Sequence, residues 1–395
     1  MKRLLDRALS SHWFVFFATV ILHGAATRGR PRANPDTGLY ITLADGLLYG
    51  DQSGIFNLDA VRWTKLIYLS LLAAARAISP EHFMMIMMLL NIFLSGIAAV
   101  LLVDLVRRTT PSVAAPAAAL VFYLAAFDIF HWMSFVMTDV LFILAAFIPF
   151  ALVARGIFGD FRGRRIWLGV ALCAAVFTRP PGVVIVVLTI VAELLFVGDR
   201  TRAQKRAVAI VLLTGMLGAL LIRTYVVHDP ACWPFRFIRP KIVEFANREK
   251  TGEVIYDRLE VARRPPRTYN DHLAMQGVRF VRFFQFTSST FSRFHNLLNL
   301  IYFIPLYLLA VMGTVWTLRA ADHRRRRLVL FAVMWIVTFA FFQAITVLDF
   351  DWRFRTPMLL EFIVLAAFGV DQIARGVAAR APKSVLHDPD RSGGR

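Results

Sequence analysis

The sequence predicts an all-α polytopic membrane protein, and three observations carry that prediction. First, 58% of its 395 residues are hydrophobic and only 18% charged, with a mean hydropathy of +0.59; soluble domains hold about a quarter charged residues. Second, apolar runs near twenty residues recur along nearly the whole chain. Each is long enough, at about 1.5 Å per helical residue, to cross a hydrocarbon core of about 30 Å. Third, clusters of Arg and Lys flank these runs in the alternating order that positive-inside topology requires. The net charge of +19, from 45 Lys and Arg against 26 Asp and Glu, would suggest nucleic acid in a soluble protein. In a polytopic one it first reflects loop topology, and no nucleic-acid partner is expected. Two cysteines, Cys173 and Cys232, are too few for a disulfide framework or a recognisable metal cluster.

The elements follow in order. Lys2-Arg3 and the apolar stretch Trp13 to Leu22 fit either a signal peptide ending at Ala25-Ala26 or a retained first helix. The retained helix is the reading adopted, and both put the segment after Ala26 outside the cytoplasm. Later apolar runs cover about 83–105, 112–130, 140–155, 166–197, 207–226, 298–318, 328–348 and 357–374. As one helix, 166–197 would measure roughly 48 Å. Arg179-Pro180-Pro181-Gly182 interrupts it, so it reads as two short helices. Both outer ends of that pair are basic (Arg162, Arg164 and Arg165; Arg200, Arg202, Lys205 and Arg206), which sets them in the cytoplasm and the Arg179 turn near the outer face. The same count places Arg107-Arg108, Arg319, Arg324 to Arg327 and the tail after Asp371 inside, and about ten spans satisfy every short basic loop.

Leu66 to Ile78, edged by Arg62, Lys65 and Arg76 and stopped by Ser79-Pro80, reads as an interfacial helix. External loops then cover about 30–82 and 227–297. Within the second, residues 278–294 interleave Arg279, Arg282 and Arg293 with six phenylalanines, a pattern that fits a helix resting among headgroups. The chain is expected to form one membrane domain over 1–376, with a cytoplasmic tail over 377–395, disordered at its end.

This topology sends four polar features to one face: Asp36 to Asp51, Thr138-Asp139, Arg179-Pro180 and Asp349 to Pro357. Ionisable groups cost about 3 kcal/mol each at the centre of a membrane helix and less near its ends, so their convergence calls for mutual pairing or a ligand. Asp36, Tyr40 and Ala44 share one helical face, with Asp45 beside them. By spacing alone, Asp36 is also a good helix N-cap, as is Thr138-Asp139.

Asp36, Tyr40, Ala44 and Gly50 form the pattern D-x3-Y-x3-A-x5-G after a first apolar helix. That pattern resembles the first external loop of the GT-C glycosyltransferases, in particular the dolichyl-phosphate-mannose protein mannosyltransferases and bacterial aminoarabinose transferases. Thr138-Asp139, the FTRPPG stretch at 177–182 and R-x-R-x-P at Arg353, Arg355 and Pro357 resemble it in matching order. The resemblance implies a GT-C-like bundle and inverting transfer of a sugar from a polyprenyl-phosphate carrier to a lipid, glycan or protein acceptor. It implies Asp36 as general base, Asp139 as a second acid, and Tyr40 and Asp45 in the substrate-binding set. Arg353 and Arg355 are candidates for a bidentate phosphate clamp or for interfacial anchoring. Arg179 is a candidate for the carrier phosphate or, preferably, for pairing with an acid such as Asp139. A divalent cation between Asp36 and Asp139 is conceivable, but no spacing specifies a metal site. The chain departs from the pattern in having Phe354 and Thr356 where Tyr is frequent after Arg, and in lacking Lys-Pro-Pro in the first loop. Richness in Ala and Arg suggests a bacterial inner membrane, with the site facing the periplasm. A transporter or lipid flippase, for which Glu193 and Glu361 would matter most, and a non-catalytic scaffold are the competing classes. No inverted repeat is apparent, and the polar groups gather at one face rather than the midplane, which weighs against transport.

Overall fold

The computed structural model describes residues 2–49, 63–159, 163–197, 201–228, 268–288, 291–346 and 354–380. These residues are almost entirely helical, and the described part contains no strand, only an isolated bridge between Arg32 and Phe135. In chain order the helices are α1 (Lys2–Ser10), α2 (His12–Thr27), α3 (Pro35–Tyr49), α4 (Leu66–Ile78), α5 (Phe83–Thr109), α6 (Ala114–Leu124), α7 (Phe127–Met133) and α8 (Asp139–Ile157). There follow α9 (Arg164–Val176), α10 (Gly182–Ala192) with a terminal π turn (Glu193–Val197), α11 (Arg202–His228), α12 (Tyr269–Phe283), α13 (Arg293–Arg319), α14 (His323–Thr346), a 3₁₀ turn (Thr356–Met358) and α15 (Leu359–Arg380).

This is a polytopic helical membrane architecture. Among the described residues, six helices are long and apolar enough to cross a bilayer: α5, α8, α11, α13, α14 and α15 with its 3₁₀ lead-in. Helices α6 and α7 make a seventh if their 48° bend lies within one span. The other expected spans are short, with 16 residues in α2, 13 in α9 and 11 in α10. Each is less than the roughly 20 residues that a perpendicular crossing needs.

The interruption expected at 179–182 is present. The Gly182 N–H donates to the Arg179 carbonyl at 2.8 Å, and a Cβ at Gly182 would run into the Ala175 backbone. The reversal from α9 into α10 therefore requires glycine at that point. Helices α13 and α15 cross with their backbones in close approach. A Cβ on Gly313 would meet the Leu365 carbonyl, and one on Gly369 would meet the Leu309 carbonyl. In lipid, such close approach of backbones supplies dispersion contacts that the hydrophobic effect cannot.

Charged residues sort to the two ends of the bundle. Asp104 near the end of α5 accepts from Arg108 at 2.8 Å and from Arg155 at the end of α8 at 2.5 Å. Asp371 of α15 accepts from the Ser112 N–H at 3.1 Å and pairs with Arg375 at 3.0 Å and Arg325 at 3.4 Å. Arg164 pairs with Glu193. The Arg107-Arg108, Arg164 and Arg324-Arg325 clusters thus share one end, where Arg164 lies against Gly156 and Arg324 donates to the Phe158 carbonyl after α8, and the start of α8 and the 179–182 turn lie at the opposite end.

Two local expectations are corrected. Residues 278–294 are not one helix. α12 stops at Phe283, and α13 starts at Arg293, capped by Ser292 accepting from the His295 N–H. The connection is tied down by α13 side chains: Asn299 donates to the Phe286 carbonyl and Asn296 to the Ser288 carbonyl, both at 2.8 Å. Phe283 and Arg279 are buried, so these residues pack into protein rather than resting among headgroups. Asp36, in turn, is not an N-cap. Pro35 takes the first helical position, which suits its fixed φ. Asn34 holds the cap instead, with its amide oxygen accepting from the Thr37 hydroxyl at 2.7 Å and its N–H donating back to that hydroxyl at 2.9 Å.

Candidate functional site

Removing Asp36 from the cap leaves it in the first turn of α3, one turn before Tyr40. The same segment is joined to the start of α8. The Arg32 N–H donates to the Ser134 carbonyl at 2.6 Å, the Val136 N–H reaches the Arg32 carbonyl at 3.4 Å, and the Asn34 amide contacts the Met137 sulfur at 2.9 Å. Asn91, a buried amide in the apolar α5, donates to the carbonyls of Met133 and Phe135, both at 3.2 Å. The loop leading to Asp139 is therefore clamped from two sides.

Asp139 is the first residue of α8, and Thr138 before it makes no side-chain cap bond. Asp139 Oδ1 accepts from the Arg179 guanidinium. That guanidinium also lies over the Phe354 ring, 5.7 Å from its centroid. The Ile67 N–H donates to the Phe177 carbonyl at 3.0 Å, tying the start of α4 to the turn that carries Arg179. Tyr40 is buried and hydrogen-bonded to the Thr138 side chain, and the charges of Arg179, Asp139 and Asp36 all act on it. Burial is the largest influence and pushes its phenol above the ordinary tyrosine range. Tyr40 is thus a neutral hydrogen-bonding group at physiological pH.

Asp36, Tyr40, Asp139 and Arg179, expected to converge from distant parts of the sequence, are gathered at one end of the bundle beside Phe354. Three other expected residues stand differently. Asp45 accepts from both Arg76 Nε at 2.6 Å and Arg76 Nη2 at 2.9 Å, a bidentate pairing of α3 with α4 rather than an open ligand contact. Arg355, expected as a phosphate clamp, lies inside the protein. Its guanidinium donates to Asp128 and to the Gln285 carbonyl, both at 2.5 Å, and stacks on Phe303 at 4.1 Å. A desolvated arginine needs such partners, and this one spends its donors on them. Arg353 lies outside the described residues, as do Gly50 and Asp51.

Sequence reasoning missed Tyr68, Asn91, Asp128 and Phe354. Asp128 carried a signal, since an acid inside the apolar run 112–130 is costly unless paired. Asn91 carried a weaker one as the lone amide in an apolar helix. The described residues contain no group of three or more His, Cys, Asp or Glu side chains that could hold a metal ion. No protein-family model and no curated protein matches this sequence.

Proposed function

We propose that the protein is a membrane glycosyltransferase of about ten crossings, with α2, α9 and α10 completing short spans. In this reading it moves a sugar from a polyprenyl-phosphate donor to an acceptor on the outer face, in a bacterial inner membrane. What supports the reading is one observation: Asp36, Tyr40, Asp139 and Arg179, from three distant stretches, meet at the end of the bundle opposite the basic clusters. Asp36 is the base. It takes the proton of the acceptor hydroxyl or amine as that atom attacks the anomeric carbon. The bond from that carbon to the phosphate oxygen breaks from the opposite side, and the oxygen leaves with the electron pair as a phosphate monoester. Phosphate is a good leaving group and needs no protonation, so one carboxylate suffices where glycoside hydrolysis uses two. Asp139 holds Arg179, whose charge, together with that of Arg353, stabilises the departing phosphate.

The experiment is to supply the protein in native-lipid nanodiscs with labelled polyprenyl-phosphate sugars and glycan, lipid and protein acceptors. Release of polyprenyl phosphate coupled to acceptor labelling is the expected outcome. A second reading, transport, is favoured by one specific observation. Glu361 in α15 is fully buried, and neither of its carboxylate oxygens has a hydrogen-bond partner among the described residues, an arrangement found along ion paths.

A further inference from the structure

Among the described residues, the hydroxyl of Tyr68 and Oδ2 of Asp139 are buried at the site without hydrogen-bond partners. Tyr68 is 1% exposed and Asp139 2%, so bulk water does not serve either. The two side chains are held by independent means. Tyr68 packs edge-on against Tyr40, with ring centroids 5.5 Å apart, and belongs to the same buried cluster as Leu72, Phe83, Met87 and Val136. Asp139 is fixed through Oδ1 by Arg179. They are near enough for the Asp139 charge to act on the Tyr68 phenol, yet they do not hydrogen-bond to each other. An unmet buried donor or acceptor costs about 1–3 kcal/mol, and such groups are rare enough in folded proteins to need an explanation.

The donor and acceptor chemistry narrows what would satisfy both. A carboxylate oxygen accepts only, while a neutral phenol donates and accepts. A group that donates to Asp139 Oδ2 and accepts from the Tyr68 hydroxyl must do both, as a hydroxyl, a water or a primary amide does, and of these the hydroxyl is the one a sugar presents. A fully ionised anion has no hydrogen to donate to Asp139 Oδ2, and an apolar group would leave both atoms unpaired. We infer that Tyr68 and Asp139 form the subsite for a carbohydrate hydroxyl, with Tyr68 a substrate-binding residue of the site. The inference rests on the transferase reading for its setting and names the residues that hold the sugar. The hydroxyl belongs either to the sugar of the lipid-linked donor or to a free glycan acceptor, and the experiment separates the two.

The test compares wild type with Tyr68→Phe in nanodiscs. Binding of methyl glycosides of hexoses and pentoses, which carry neither phosphate nor lipid, is followed by saturation-transfer NMR alongside melting temperature. KM values for labelled donor and for glycan acceptor are measured separately. The expected result is that Tyr68→Phe melts at or above the wild-type temperature, because an unpaired hydroxyl has been removed. Sugar recognition is nonetheless lost at least tenfold, as weaker glycoside binding and a raised acceptor KM if the hydroxyl is the acceptor's, or as a raised donor KM alone if it is the donor's. Unchanged glycoside binding and KM values in Tyr68→Phe would mean that a trapped water fills the gap and would overturn the inference. So would failure of wild type to bind any methyl glycoside, together either with a donor KM that Tyr68→Phe leaves unchanged or with no turnover on any donor. Glycoside binding lost in Tyr68→Phe, with no turnover in wild type on any donor, would keep the sugar subsite and sink the transferase reading alone.

Discussion

Arg355 and Asp128 are 227 residues apart in the chain and meet at 2.5 Å, with each side chain only 1% exposed. The pair joins the entry of α15 to the bend between α6 and α7, and the Gln285 carbonyl joins the loop after α12 to the same guanidinium. Because Phe354 precedes Arg355 and lies over Arg179, this buried pair also fixes one wall of the candidate site. Breaking such a pair leaves a stranded charge, which costs about 3–5 kcal/mol. Arg355→Met and Asp128→Leu are each expected to lower thermal stability in detergent sharply, and the double variant to recover much of the loss. Additive losses in that cycle would mean that the two side chains are not energetically coupled.

Asn91 holds the loop that delivers Asp139. Asn91→Leu has an apolar side chain of similar size and suits a membrane helix, but it strands the carbonyls of Met133 and Phe135. A loss of about 1–3 kcal/mol is expected, together with reduced turnover as Asp139 moves relative to Arg179. Melting curves and donor turnover check this, and a variant that melts and turns over like wild type would show the clamp to be dispensable.

The α13 and α15 crossing gives a contrast within one helix. Gly369→Ala puts a methyl group onto the Leu309 carbonyl, whereas nothing lies within 4 Å of a Cβ at Gly376. Overpacking of this kind costs about 1–3 kcal/mol. Gly369→Ala is expected to reduce the melting temperature and the monodisperse yield, and Gly376→Ala to leave both unchanged. Equal behaviour of the two variants would contradict the crossing.

Tyr40 provides a pH dependence outside the spans. Its phenol is raised above 10.0, chiefly by burial, so above pH 10 the folded chain keeps a proton that the unfolded chain has released. Stability is then fully present below about pH 10 and declines as pH rises toward the folded value, because the native state binds more protons there. Tyr40→Phe is expected to flatten that alkaline decline in a melting-temperature profile, and an unaltered slope would remove Tyr40 as its source.

The parts of the fold written in local chemistry were readable in the sequence. Pro180-Pro181-Gly182 cannot continue a helix, and the break is there. The polar convergence was readable too, because hydropathy and Arg placement fix which loops share an end. The start of α3 was misjudged by two residues at its cap, since Asp36 and Asn34 are both good caps and only Pro35 decides between them. The role of Arg355 was hidden because its partner Asp128 lies in another part of the chain and the motif reads the same whether its arginines face ligand or protein. Residues 278–294 misled through their alternating Arg and Phe. The Asn296 and Asn299 side chains that fold the connection back are not part of any helical periodicity. Tyr68 could not be found from sequence, because an aromatic on an apolar helix gives no sign of which atoms around it are left unpaired.

The central claim is that Asp36 is the base of a transferase at this end of the bundle. It is tested most directly by comparing Asp36→Asn and Glu361→Gln with wild type, at equal abundance and melting temperature, for release of polyprenyl phosphate and labelling of acceptor. The account predicts that Asp36→Asn slows turnover by about 10²–10⁴-fold, the usual contribution of a general base, while Glu361→Gln turns over like wild type. Full turnover by Asp36→Asn, or no turnover by wild type across the donor panel together with substrate flux that Glu361→Gln abolishes, would contradict it.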